Sequence, residues 1–330
     1  MEADERVLVT GGCGSVGSEV VRTLLSEREV GTVCILDHNE RSLFDMQRRL
    51  NDQSDQVQFV LADVRDQERL EQALTDIDTV IHAAALKHVP LSEENPYEAI
   101  KTNTIGTQRL ISAAEKTDVS RVLGVSTDKA AQPTSVMGAT KMLSERLLTA
   151  ANRESEGTMY ANVRLGNVLG TTGSVMRIFE EQVAKGGPVT VTHPDMTRFV
   201  FTVSEAAEFI VSALDRMSGC EVLIPKMDAV RIMDLADVMI ERNRPDDVEP
   251  AEIDIEIIGV RPGERLYERL LTETEAPNAV ELEQSFVVTP RDDVRKELVS
   301  DGGTQLTTPY HSDRADQLSL EEISGLLSRV

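Results

Sequence analysis

Arg6 to Gly17 reads Arg-Val-Leu-Val-Thr-Gly-Gly-Cys-Gly-Ser-Val-Gly, and the fold of the chain turns on this stretch. Arg6 to Thr10 is a short β-prone strand. The glycines follow at once, and a helical pattern then runs through Glu29. The glycines satisfy both Gly12-x-Gly14-x-x-Gly17 and the wider Gly11-x-x-Gly14-x-x-Gly17. A second strand, Thr32 to Leu36, ends at Asp37, 20 residues after the last glycine. A strand that breaks into glycines, opens a helix and has an acid at the end of the next strand is the context a dinucleotide-binding turn requires. The glycines let backbone amides approach a pyrophosphate, and the helix N-terminus adds partial positive charge. Asp37 can accept both ribose hydroxyls of NAD and would repel a 2′-phosphate, which favours NAD over NADP. Arg41, close by, is the feature that speaks for the other cofactor.

Working outward, the alternation continues. Gln56 to Leu61 reads as a strand with Asp63 and Val64 at its end, and Arg65 to Thr75 as a helix. Thr79 to Ala83 reads as the fourth strand, followed by Ala84, Ala85, Leu86, Lys87, His88, Val89 and Pro90. Tyr97 to Thr117 is expected as one long helix carrying Asn103. Arg121 to Val125 is the fifth strand, Met137 to Ser155 a helix, and Met159 to Arg164 the sixth strand. This spacing implies right-handed crossovers and a parallel sheet covered on both faces, an α/β fold of Rossmann type. A dinucleotide in it would lie against Gly11, Cys13, Gly14, Ser15, Val16 and Gly17, with Asp37 at the adenosine ribose. Asp63, Val64, Ala83, Ala84 and Ala85 would border it, and Asn103, Ser126 and Lys141 complete the expected cofactor contacts.

The fifth strand runs into Ser126-Thr127-Asp128-Lys129, and Lys141 follows one helical turn after Met137. Strand carboxyl ends are where ligands sit in open α/β sheets. An acid, an amine and hydroxyls leaving one strand end together suit proton transfers on one small substrate. Read alone, the same residues could be a loop with a helix N-cap.

After Leu165 the regularity breaks. Gly166 to Gly170 is a loop, Val175 to Lys185 a helix and Val189 to Thr192 a short strand. Ser204 to Met217 is a helix with Ser204 as its expected cap. Cys220 to Ile224 is a strand, Ile232 to Glu241 a helix, and Ile253 to Ile258 a strand before Arg261-Pro-Gly-Glu264. Glu273 to Glu283 reads as a solvated linker, and Leu318 to Val330 as a terminal helix. The division expected is a cofactor domain over 1–165, to which the chain returns later, and a smaller C-terminal α/β lobe over 166–330 that binds substrate.

The 330 residues carry a net charge of −23, spread along the chain. That disfavours nucleic acid and anionic membranes as partners. Trp is absent, and the 34 basic residues divide into 26 Arg and 8 Lys. An acidic surface of this kind suits a salt-rich cytosol, because salt screens self-repulsion. No apolar run approaches the length of a membrane span. Met1 to Arg6 leads straight into a strand without a signal-peptide pattern, so the reading is a cytoplasmic protein. Cys13, Cys34 and Cys220 form neither a disulfide framework nor zinc spacing, and no metal site is expected.

With these segments in place, the chain resembles the nucleotide-sugar 4,6-dehydratases of the extended short-chain dehydrogenase/reductase superfamily. It is most similar to the polysaccharide-biosynthesis branch that acts on UDP-N-acetylglucosamine. The resemblance rests on Thr10 to Gly17, His82 to Pro90, Ser126 to Ala130, Met137 to Lys141, Arg164 to Val168, Met196 to Phe199, Arg261 to Glu264 and the ending from Tyr310. The superfamily usually has Tyr where this chain has Met137, which cannot carry a proton. Part of this dehydratase branch is similar in having Met there.

The resemblance implies an internal redox elimination: C4 of the sugar is oxidised by NAD, the C5 proton and C6 hydroxyl leave as water, and hydride returns to C6. It implies Lys129 as C5 base, Asp128 as acid to the C6 hydroxyl and Thr127 as hydrogen-bond partner of the C4 oxygen. Lys141 would bind the nicotinamide ribose and favour loss of the C4 proton. Burial and a cationic Lys141 are expected to push the Lys129 pKa down. Arg198 and Arg261 would hold the diphosphate of a UDP-sugar, with Lys87, His88, Asn167 and Glu264 around the substrate. A homo-oligomer is also implied. The alternatives are a nucleotide-sugar epimerase, which needs neither C5 base nor C6 acid, and a non-catalytic NAD-binding protein that has lost the tyrosine.

Overall fold

A computed structural model of the chain describes residues 4–51, 55–171, 175–245, 248–261 and 263–330. The first six strands are β1 (Arg6–Thr10), β2 (Thr32–Asp37), β3 (Val57–Leu61), β4 (Thr79–His82), β5 (Arg121–Thr127) and β6 (Met159–Leu165). They pair in parallel in the order β6-β5-β4-β1-β2-β3, with β1 between β2 and β4. Successive side chains on a strand point to opposite faces. Accordingly, Val7 and Val9 enter a core with the helices Ser15–Glu27 and Val203–Arg216, while Leu8 enters the other core with Leu70, Leu110 and Leu148. Both faces of the sheet are therefore covered, as a parallel sheet requires.

The chain leaves the sheet through β7 (Asn167–Val168), β8 (Val189–Val191) and β9 (Thr197–Phe201), and returns to it with β10 (Val222–Pro225). β10 pairs in parallel with β6. β11 (Asp228–Arg231) joins β9 and β7, and β12 (Ile255–Ile257) joins β8. β13 (Arg269–Leu271), β14 (Ala279–Glu281), β15 (Ser285–Val288), β16 (Thr304–Gln305) and β17 (Tyr310–His311) follow. β15, β14 and β16 extend the main sheet antiparallel beyond β10, giving it ten strands among the described residues. The smaller lobe has its own core, built from the helices Val175–Ala184, Ile232–Asn243 and Leu320–Leu327 around β8 and β9.

Four local expectations are corrected. The helix expected over Tyr97 to Thr117 is Pro96–Ala99, a π-helical Ile100–Ile105 and Gly106–Ala114. Inside the wide turn, the Asn103 carbonyl accepts from Thr107 Oγ1 and Ser144 Oγ, each at 2.6 Å. Side-chain donors thus occupy a carbonyl that a regular helix would use itself. The cap of Val203–Arg216 is Thr202, not Ser204. Thr202 Oγ1 accepts from Glu205 N while Glu205 Oε2 accepts from Thr202 N, a capping box. Ser204 instead donates to Glu19 Oε1 at 2.8 Å. The expected linker over Glu273 to Glu283 is packed structure. It includes β14, and Glu275 forms a buried ion pair with Arg164. The strand expected over Ile253 to Ile258 is the shorter β12, outside the main sheet.

Candidate active site

Gly11 has a φ of 64° and turns the chain off β1. A Cβ there would lie 2.7 Å from Ala84 Cα, so Gly11 and the alanines at the end of β4 need each other's smallness. A Cβ at Gly17 would run into the Gly11 carbonyl oxygen. Gly14 N donates to Gly11 O at 2.9 Å, and the helix Ser15–Glu27 begins there without a side-chain cap. Its first amides are left for a ligand. Asp37 is buried. Its Oδ2 accepts from Cys13 N at 3.1 Å and its Oδ1 from Asn39 N at 3.0 Å, so the acid at the end of β2 also shapes the turn.

A cavity of about 700 Å³ runs along these strand ends. Gly11, Cys13, Gly14, Ser15, Val16, Gly17, Asp37, Asp63, Val64, Ala83, Ala84, Ala85, Ser126 and Lys141 all line it. Asp63 is gripped by Arg65, whose hydrogen bonds hold its carboxyl below the usual range. Ser126 Oγ is buried and has no hydrogen-bond partner among the described residues. Asn103 does not reach the cavity. Its Oδ1 accepts from Leu86 N at 2.8 Å, and its Nδ2 donates to Leu86 O and to Thr140 Oγ1. It therefore fastens the cavity wall to the lysine-bearing helix Val136–Glu154, and the direct cofactor contact expected of it is corrected. Behind the wall, His82 lies between Thr10 and Thr107, and burial pushes it down to about 3, so it stays neutral.

Thr127, Asp128 and Lys129 stand together where β5 ends. Asp128 Oδ1 accepts from Thr127 Oγ1 at 2.7 Å and from Lys129 Nζ at 3.0 Å. Its second oxygen, Oδ2, is buried without a partner among the described residues. Lys129 Nζ also donates to Asn167 Oδ1 at 3.3 Å and lies 3.6 Å from Glu268 Oε1. The Lys129 pKa expectation is overturned. Burial does pull it down, but the Asp128 and Glu268 carboxylates outweigh burial and leave it above the ordinary lysine value. Lys141 behaves oppositely. Its Nζ donates to Val125 O at 2.6 Å, and burial pulls it down to about 8 against the raising effect of Glu145.

A second cavity of about 410 Å³ adjoins the first. Val16, Lys87, His88, Thr127 and Met137 line both. Lys129, Asn167, Arg198, Arg261 and Glu264 line only the second. Lys87 is pushed below the ordinary lysine value by burial and then by the Arg177 cation. The two arginines differ. Arg198 is committed to the protein. It donates to the carbonyls of Thr197, Arg265 and Leu266 and pairs with Glu264 and Glu268. The Arg261 guanidinium is exposed and has no partner among the described residues, while its backbone N donates to Glu264 Oε2. Pro262, between them in the motif, lies outside the described residues.

A family model described as polysaccharide biosynthesis protein matches residues 7–290. The chain belongs to this polysaccharide biosynthesis protein family. An uncharacterized membrane protein of Methanocaldococcus jannaschii is 46% identical over 330 residues, covering 99% of this chain and 96% of its own. A UDP-N-acetylglucosamine 4,6-dehydratase (inverting) of Campylobacter jejuni is 36% identical over 289 residues, or 87% of this chain and 83% of its own. A Rickettsia rickettsii protein named UDP-glucose 4-epimerase is 33% identical over 337 residues, with 99% and 96% covered. The X-ray structure of Pen from Bacillus thuringiensis is similar with a TM-score of 0.90 at 35% identity, covering 99% of this chain and 98% of that one. No helix among the described residues is long and apolar enough to cross a membrane.

Within the family framework, two site residues escaped the sequence reading. Glu268 is one, because nothing local ties it to Lys129. The Val125 carbonyl that receives Lys141 is the other, because main-chain acceptors leave no mark in composition.

Proposed function

We propose that this protein is an NAD-dependent nucleotide-sugar 4,6-dehydratase that converts UDP-N-acetylglucosamine to UDP-2-acetamido-2,6-dideoxy-4-hexulose. The observation that carries the reading is the 3.0 Å contact between Asp128 Oδ1 and Lys129 Nζ, with the lysine at the wall of the second cavity and the acid buried directly behind it. An elimination across C5 and C6 needs a base and an acid side by side, and a C4 epimerisation needs neither. The epimerase name of one relative favours the second reading, a 4-epimerase. The second half of the chain serves mainly the substrate, and residues 1–165 mainly the cofactor.

The first cavity fits a dinucleotide. Its glycine turn has no room for a Cβ at Gly17, and Ser126 Oγ is a buried polar atom in need of a partner. When bound there, NAD supplies the hydride acceptor for C4 and the donor for C6. The protein's own residues then manage protons. Asp128 and Lys129 in their ion-paired form hold one proton between them. Its passage across the 3.0 Å contact leaves a neutral amine and a carboxylic acid, the pair the elimination requires. Lys129 takes the C5 proton; the electron pair forms the C5–C6 double bond as the C6–O bond breaks. Asp128 protonates the departing hydroxyl, which leaves as water. Thr127 orients the C4 oxygen. Lys141, on the cofactor side, holds the nicotinamide ribose, and its positive charge favours loss of the C4 hydroxyl proton, since Met137 has none to exchange. Arg261 suits the diphosphate, because a free guanidinium fork matches phosphate oxygens. Lys87, His88 and Asn167 border the sugar.

The test is incubation of purified protein with UDP-N-acetylglucosamine in D₂O, with and without high salt, read by mass spectrometry and proton NMR. Loss of one water with deuterium at C5 is the expected result. Reaction of UDP-glucose alone would replace the substrate, and NAD binding without any turnover would leave the non-catalytic reading.

A further inference from the structure

We propose that Glu268 is a positioning residue whose fixed negative charge orients the Lys129 amine and stabilises the ammonium formed as that amine takes the C5 proton. The proposal rests on the dehydratase reading. Glu268 Oε1 lies 3.6 Å from Lys129 Nζ and 3.6 Å from Arg198 Nε. The carboxylate is buried and therefore needs a reason to be charged there. The two cations supply that reason, and in return it lies between two like charges.

The backbone of Glu268 is pinned from both sides. Its N donates to Ser312 Oγ at 3.0 Å, and Ser312 N donates to its carbonyl at 3.0 Å. Ser312 is itself buried and tied to Thr197, the residue before Arg198. The carboxylate is thus held in place by the frame of the smaller lobe, while the lysine comes from the short helix Asp128–Ala131 that follows β5 of the main sheet.

The groups facing Lys129 are Asp128 and Thr127 from its own strand end, Asn167 from β7, Arg198 from β9 and Glu268 before β13. Asp128 is protonated until it gives its proton to the leaving hydroxyl, so up to that point Glu268 is the carboxylate that faces the amine with its charge in place. Glu268 has no such duty and does not line the substrate cavity. A base oriented by a third group that stays ionised is a general device for proton transfer. The same charge makes the amine a stronger base, which the weakly acidic C5 proton calls for. Its influence is visible in the raised pKa of Lys129, to which burial is opposed and Asp128 and Glu268 contribute.

The experiment compares wild type, Glu268→Gln and Glu268→Asp by two readouts. The first is competitive acetylation of Lys129 against pH, read by peptide mass spectrometry, which needs no substrate. The second is the pH profile of C5 deuterium exchange with UDP-N-acetylglucosamine. In Glu268→Gln the Lys129 titration should move to lower pH by about one unit. The pH at which exchange reaches its plateau should fall with it, and the plateau rate should fall by up to about 10-fold with KM unchanged. Glu268→Asp should return both toward wild type. It also keeps the test alive if the glutamine variant does not fold. An unmoved Lys129 titration in a folded variant overturns the role of Glu268 whether or not turnover is seen. A titration that moves in Glu268→Gln, beside a wild-type protein that exchanges no C5 proton, overturns the catalytic part and the dehydratase reading together.

Discussion

Lys129 and Lys141 lie on opposite sides of a boundary formed by Thr127 and Met137, and their surroundings drive them in opposite directions. Lys129 faces the second cavity and is held above the ordinary lysine value, while Lys141 faces the first and is pulled down to about 8. The difference is a matter of carboxylates. Lys129 has Asp128 and Glu268 within 3.6 Å, whereas the hydrogen bond of Lys141 goes to a neutral carbonyl.

Lys129→Ala should abolish solvent exchange at C5 and reduce turnover on the order of 10²- to 10⁴-fold. Proton NMR of the sugar in D₂O checks it. Exchange that survives the substitution would remove Lys129 from the role of base.

The Lys141 shift gives a pH dependence with a definite sign. The folded-state pKa is depressed from 10.5 to about 8, so the amine is cationic below about pH 8 and neutral above it. If the cation assists loss of the C4 proton, C4 oxidation slows as pH rises through about 8. Reduced cofactor formed in a single turnover, followed by absorbance across pH, measures it. A rate that rises there instead would make the neutral amine the base. For stability the sign is reversed: between about pH 8 and 10.5 the unfolded chain binds the extra proton, so this residue's contribution to stability rises with pH.

The two arginines of the second cavity should separate by assay. Arg261→Ala should raise KM for the nucleotide sugar by about 10-fold or more without lowering Tm, since a charge-assisted phosphate contact is worth roughly 1.5–3 kcal/mol. Arg198→Ala should lower Tm, because it strips partners from three carbonyls and leaves Glu268 short of a cation. Equal effects on KM and Tm in both variants would contradict the distinction.

Arg164→Met should destabilise the fold by ~3–5 kcal/mol, the cost of breaking a buried ion pair from one side. Arg164 is almost fully buried, pairs with Glu145 at 2.7 Å and Glu275 at 2.9 Å, and also donates to Leu270 O. Urea unfolding with an unchanged slope is the measurement. Loss of only a few tenths of a kcal/mol would mean the two acids find other partners.

The glycine turn, Asp37 and the Thr127–Lys129 cluster were legible because each depends on neighbours in sequence and on one strand–helix alternation. Glu275 was misread as part of a solvated linker because its partner, Arg164, is 111 positions away. The direction of the Lys129 shift was misread although Asp128, the larger raising influence, is its neighbour in sequence; what could not be read was how close the two groups lie and that Glu268 joins them from another part of the chain. The π-helical turn around Asn103 could not be inferred from helical periodicity, since its stabilising donor, Ser144, comes from a different helix.

The return of β10 alongside β6 has a consequence for anyone wishing to exchange substrate lobes among relatives. A single splice after Leu165 would strip β6 of the partner beside Asn162 and Val163 and take Glu275 from Arg164. The severed fragment would present a raw strand edge, an invitation to aggregation. A working chimera must therefore carry the helix 203–216 and the strands 222–225, 279–281, 285–288 and 304–305 with the first half, and graft the new lobe as three separate pieces, between 165 and 203, between 225 and 279, and after 305.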